Sequence, residues 1–187
     1  MRRILIAILL LTYQNSISQT KKALDSHLQP AVFAVTMVMI HDVVNPPAAS
    51  RFYTYCLLGA QEIVSQNNRA IASPTAYIKS FEPITFDPSP GYNYQIAALY
   101  SIMETGRVIL PSGYLLEEDQ KKLIIALLRE GYSQETIDKS IAAAQIVAKK
   151  IAAYAAGDNY LKLSTRLRYR PKKGDAYWYP TPPGYIE

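Results

Sequence analysis

The residues of this 187-residue chain that could do chemistry fall in a few short stretches. His41-Asp42, with Arg51 one turn into the following helix, combines a titratable imidazole, an orienting carboxylate and a guanidinium, the parts of an anion pocket. The same residues also suit a structural network at a tight helix–helix corner, with Asp42 and Arg51 paired and His41 on backbone carbonyls. No nucleophile, second base or metal cluster lies close by in sequence, so the network is the stronger reading. Cys56 sits among apolar and aromatic neighbours with no histidine at useful spacing, which describes a small buried thiol rather than a nucleophile. Glu62 and Glu104 could pair for acid–base work, but lone acids on helix flanks are generally solvated or salt-bridged. Arg166 and Arg168, interleaved with tyrosines near the C-terminus, offer anion contacts. No catalytic, cofactor-binding or metal-ligating residue is assigned. His27 and His41 are the only histidines, which excludes a three-histidine site, and one cysteine excludes an intramolecular disulfide.

The elements that would position these residues are helical. Before them, Arg2 and Arg3, the apolar run 4–11 and the small residues Ser16 and Ser18 read as an export signal over residues 1–18, with Gln19 as the mature start. The run is well short of the ~20 apolar residues that span a bilayer, and no cysteine follows it for lipid attachment. The mature protein is expected in the periplasm or outside the cell, with no stable membrane span. Residues 31–40 (AVFAVTMVMI) then predict a fully buried central helix, stopped at Asn45-Pro46-Pro47, where the prolines also open the next helix. That helix runs over 48–66. Residues 67–92, broken by Pro74, Pro83, Pro88 and Pro90, form a long irregular excursion. Helical spacing returns over 93–110. Pro111-Ser112-Gly113 makes a turn, and Glu117, Glu118 and Asp119 open a further helix that Gly131 ends. The last helix starts at Ser133, with Ile137, Ile141, Ala144, Ala148, Ile151 and Ala155 as a narrow seam, and stops at Gly157.

The expected fold is therefore all-α, an antiparallel bundle of about five helices over residues 19–157. It carries one Pro-rich loop and an extended basic strap over 158–187. Residues 160–187 hold six basic side chains against Asp175 and Glu187, whereas 19–159 holds twelve basic and thirteen acidic residues. Basic residues interleaved with aromatics can bind single-stranded nucleic acid, but for an exported protein phosphate groups of lipids or small esters fit better, and a surface strap whose aromatics pack on the bundle is the stronger reading.

The stretch 39–55 (MIHDVVNPPAASRFYTY) resembles the N-terminal block of exported bacterial proteins of the vanadium-dependent haloperoxidase and type 2 phosphatidic acid phosphatase superfamily. A second block agrees: Gly157-Asp158-Asn159-Tyr160, then Thr165-Arg166-Leu167-Arg168-Tyr169, then 178–183 (WYPTPP). The resemblance implies an all-helical fold that binds vanadate or phosphate, for halide oxidation by peroxide or for phosphate ester hydrolysis. Its oxyanion machinery would be a basic motif ending Arg-Pro, then Pro-Ser-Gly-His, then Ser-Arg followed by Gly-His. Here Pro111-Ser112-Gly113-Tyr114 puts tyrosine where that histidine belongs, and Arg170-Pro171 comes too late in the chain. The chain is thus expected to be the N-terminal helical part of such a protein, a split or interrupted gene product or a fragment, inactive alone and without a cofactor of its own; assembly in trans with a separately encoded catalytic half is a further alternative. The competing expectation is a stand-alone exported module that binds an anionic ligand or a protein partner through its Arg/Tyr-rich tail.

Overall fold

The computed structural model describes residues 24–167, 170, 172 and 174–178. The export signal expected over 1–18 lies outside the described residues, as does Arg168. Among the described residues there are five α-helices and no strand. The helices are α1 (24–41), α2 (Pro46–Asn67), α3 (Tyr94–Ile109), α4 (Glu117–Arg129) and α5 (Gln134–Ala156). The chain divides into two compact units, Met1–Ala155 and Ala156–Glu187.

Local chemistry fixes the helix ends. Asn45 caps α2 by accepting from the Ala48 N–H at 3.0 Å, with proline in the first turn where no amide hydrogen is needed. Asn93 caps α3 by accepting from Gln95 and Ile96, and Ser133 accepts from the Thr136 N–H at the start of α5. At the end of α1, Val44 N–H bonds Met39 O while Val43 N–H bonds Ile40 O, and Val43 sits at φ 50°. That is a Schellman closure with a β-branched residue in the left-handed position usually given to glycine.

The helices alternate in direction. The α1 C-terminus meets the end of α3 through Asp42 and Ser112, and the α2 N-terminus meets the α5 C-terminus through Arg51 and Ala155 O. At the opposite end, His27 of α1 bonds Glu130 after α4 at 2.8 Å, and Ser140 of α5 accepts from the Asn93 N–H. The core joins Leu58 and Ile63 of α2, Ala97 and Ala98 of α3, and Val147 and Ile151 of α5. The expected seam of α5 is buried at Ile137, Ala144, Ala148, Ile151 and Ala155, and Ile141 is half-buried.

The central helix is α3, not α1. Eleven consecutive residues of α3, Ile96 to Gly106, are buried, whereas α1 buries one face (Ala31, Ala34, Val35, Val38) and exposes Phe33, Met37 and Ile40. The expectation of a fully buried helix over 31–40 is corrected accordingly. An all-round apolar run marks a helix that needs cover on every side, and the described residues cover it on one side only.

The excursion over 67–92 wraps closely. Apart from a single 3₁₀ turn, Pro74–Ala76, it is irregular. Phe81 and Ile84 enter the core, where the Phe81 ring meets Tyr154 of α5 edge to face at 5.1 Å between centroids.

Candidate functional site

The end of the bundle where α1, α3 and α5 finish and α2 begins gathers His41, Asp42, Arg51 and Ser112. Asp42 is its centre. The Asp42 Oδ2 accepts from the Ser112 N–H at 3.0 Å, and Oδ1 lies 3.2 Å from His41 Nδ1. The carboxylate side chain is almost covered, while the imidazole is largely in solvent. Burial alone would push the Asp42 carboxyl up, but hydrogen bonds from the Ser112 side chain and backbone and from His41 outweigh it, leaving the group below its ordinary value of 3.8. The Pro-Ser-Gly stretch, read from sequence as an interhelical turn, lies in the α3–α4 connection, where Gly113–Leu116 forms a 3₁₀ turn. Tyr114 is exposed.

Arg51 works elsewhere at this end. Its Nη2 donates to Ala155 O at 3.2 Å, and its guanidinium lies 5.0 Å from the Tyr55 ring centroid and 5.2 Å from that of Phe52. A cation on a terminal carbonyl of α5 meets the negative end of that helix's dipole. Arg166, exposed, follows the 3₁₀ helix Tyr160–Thr165 in the second unit. Lys172 of the same unit lies over the Tyr177 ring at 5.4 Å.

The other candidates have structural partners. Cys56 is 1% exposed, and burial pushes its thiol up to about 12, the opposite of an activated nucleophile. Glu104 pairs with Arg107 at 2.7 Å and accepts from Gln120 Nε2 at 2.8 Å. Burial raises its pKa and these partners outweigh that, so the group lies below 4.5. Glu62, 1% exposed, is neither solvated nor paired with Glu104 as acid and base. Its carboxyl accepts from the Ile84 N–H at 3.1 Å, from Gln66 Nε2 at 2.7 Å and from the Ser73 hydroxyl at 3.4 Å. It therefore fastens the 67–92 excursion to α2.

The acid dependence of stability follows from Asp42 and Glu104. A carboxyl whose folded pKa lies below its unfolded value stabilises the fold above the unfolded value, and that contribution is lost as pH falls through the folded value. Thermal melts in a pH series should be level down to about pH 5 and fall below about pH 4. Asp42→Asn and Glu104→Gln should each flatten that fall. Melting temperatures that rose on acidification would contradict the assignment.

A tetrahedral or bipyramidal oxyanion needs several cationic donors converging on one point. At this end a hydrogen-bonded carboxylate, held ionised, occupies the place beside the Pro-Ser-Gly turn, and Arg51 is directed to a helix terminus and two rings. These residues do not fit vanadate. Among the described residues no group of three or more His, Cys, Asp or Glu could hold a metal ion, and no helix is long and apolar enough to cross a membrane.

Five alternating helices, with α3 buried among the other four, form a helical domain of the vanadium haloperoxidase and type 2 phosphatidic acid phosphatase-like fold. The comparison that shows it is with a solved bacterial vanadium-dependent iodoperoxidase, at 29% identity and a TM-score of 0.73, covering 86% of this chain and 39% of that one. The chain spans about two fifths of the length of that structure. No family model and no curated protein matches it.

Proposed function

We propose that this chain is the helical scaffold part of an exported haloperoxidase- or phosphatase-like protein, and that the residues holding the oxyanion lie outside it. The observation carrying this reading is the Asp42–Ser112 bond. In a haloperoxidase-like fold, it commits a carboxylate, not a cation, to the turn at this end of the bundle. When bound, vanadate would supply the polarising centre for peroxide chemistry. This chain's own contribution is to hold the bundle end rigid through Asp42 and Arg51. The partner is a polypeptide bearing the basic and histidine ligands.

The purified chain, given orthovanadate, peroxide and iodide, or separately a phosphate monoester, should show no turnover above a buffer control. Turnover that tracked the protein and was lost in Arg51→Ala would overturn this reading. The resemblance implies either chemistry, so both substrates belong in the assay.

A further inference from the structure

Between the first turns of α1, the C-terminal half of α2 and the start of α3 runs a groove of about 520 Å³, the size of a small-molecule site. Three large apolar side chains that line it stand in solvent, Leu28 at 49%, Leu57 at 43% and Ile71 at 37%. Its floor is made of buried Leu24, Leu99 and Ile102. Single exposed leucines are ordinary, but three apolar side chains converging on one concave surface are not. The wall formed by Ile71 is fixed in place from both sides. Asn68 Oδ1 accepts from the Ala70 N–H at 3.1 Å, and Gln61 Nε2 donates to Ala72 O at 3.2 Å. The groove is therefore formed before anything enters it.

The groove has a polar end and an apolar body. Because α1 and α3 begin where α2 finishes, Asp25, Asn68, Tyr94 and Gln95 share its outer end, while Leu57 and Ile102 lie inward along their helices. Asn68 follows Leu57 by eleven residues, about 16 Å of helix. The charges at the outer end are mixed. Asp25 lines the groove, and Lys21 and Lys22 stand three and four residues before it in sequence, so a head group of either sign meets a like charge. The amides of Asn68 and Gln95 and the Tyr94 phenol can both donate and accept, which suits an uncharged hydrogen-bonding head. We infer that the groove binds an uncharged single-chain amphipath, with a hydroxyl head at Asp25 and Gln95 and an apolar tail along Leu57, Leu99 and Ile102. The groove lies at the opposite end of the bundle from Asp42 and Arg51, so nothing in this inference rests on the scaffold reading.

The test titrates the full chain, labelled at its leucine methyls, with 1-decanol and follows the methyl NMR signals. Those of Leu28, Leu57 and Leu99 should shift saturably, and that of Leu127, buried on α4, should not. Each buried methylene contributes about 0.8 kcal/mol, so 1-hexanol should bind at least tenfold more weakly. Decanoate and decylammonium, each kept below its aggregation concentration, should bind at least fivefold more weakly than 1-decanol. Leu57→Glu should weaken 1-decanol binding at least tenfold, and Phe33→Glu on the far face of α1 should leave it unchanged. Asp25→Asn should keep 1-decanol within twofold and tighten decanoate at least threefold. The methyl shifts are read on the unsubstituted chain, so they decide the matter even if a variant folds poorly.

The inference is overturned if 1-decanol shifts none of the three groove methyls, or shifts them without saturating. It is equally overturned if a charged analogue binds as tightly, which would mean a head group of that sign, or if the groove methyls shift on concentrating the chain alone, which would make the groove a contact between copies. None of these outcomes touches the scaffold reading, which falls only if the chain alone turns over or holds vanadate.

Discussion

Replacing Gly113 by alanine is expected to destabilise the protein more than any other single-methyl addition. A Cβ on Gly113 would lie 2.2 Å from Arg107 O, 2.7 Å from Arg107 C and 2.8 Å from its Cα. All three are backbone atoms of the last turn of α3, so no flexible side chain can swing aside. Overpacking generally costs 1–3 kcal/mol, and a clash with helix backbone belongs at or beyond the upper end, about 3 kcal/mol. For a domain of this size that lowers the melting temperature by on the order of 10 °C. The displaced turn also carries Ser112, so the bond to Asp42 goes with it. Gly131→Ala is the natural comparison. Gly131 has φ +94° with nothing within 4 Å, so its substitution adds only left-handed strain, about 1 kcal/mol. Thermal and denaturant melts of the two variants should separate them clearly, and equal losses would show that the Gly113 contact does not exist.

The second large effect is expected at Glu62. Glu62→Ala leaves the buried Ile84 N–H without its acceptor and reduces Gln66 and Ser73 to their other partners, Ile84 O and Thr75. Orphaning a buried donor costs about 1–3 kcal/mol, and with two further bonds lost a total toward the upper end, about 3 kcal/mol, is expected. The loss should be local as well as global. Ile84 and Phe81 are held in the core by the same loop, so limited proteolysis should cut within 67–92 in the variant at protease levels that spare the parent. Glu62→Gln retains an oxygen for Ile84 and Gln66 but presents an amide N–H₂ toward the Ser73 hydroxyl, and should fall between the two. A Glu62→Ala protein with unchanged stability and unchanged cleavage would show that the excursion is fastened elsewhere.

Much of this fold is legible from helical spacing and end signals. The α5 seam, the Asn45-Pro46-Pro47 corner, the Gly131 stop and the acidic first turn of α4 are local, and the physics that sets them acts within a few residues. What could not be read depends on pairs far apart in the chain. Asp42 and Ser112 are separated by 70 residues and Glu62 and Ile84 by 22, and nothing in either stretch names its partner. Gln66 one turn after Glu62 was a visible hint of a local bond, but the buried amide that makes the cluster structural lies on the loop. The error at α1 has a different origin. Its 31–40 run is apolar on all faces, and composition cannot say which of those faces the other helices cover. Of the candidate site, His41 and Asp42 are adjacent by sequence. The structure adds that Asp42 is committed to the Ser112 turn and Arg51 to the end of α5.

Titration with orthovanadate, followed by vanadium NMR of the full chain alone, asks the central question more strictly than turnover does, because binding precedes chemistry. A scaffold whose oxyanion ligands lie elsewhere should leave the free vanadate signal unshifted and undiminished at equimolar protein, in the parent and in Arg51→Ala alike. A bound-vanadate signal that grows with protein and disappears in Arg51→Ala would contradict the account, placing the oxyanion site inside this chain.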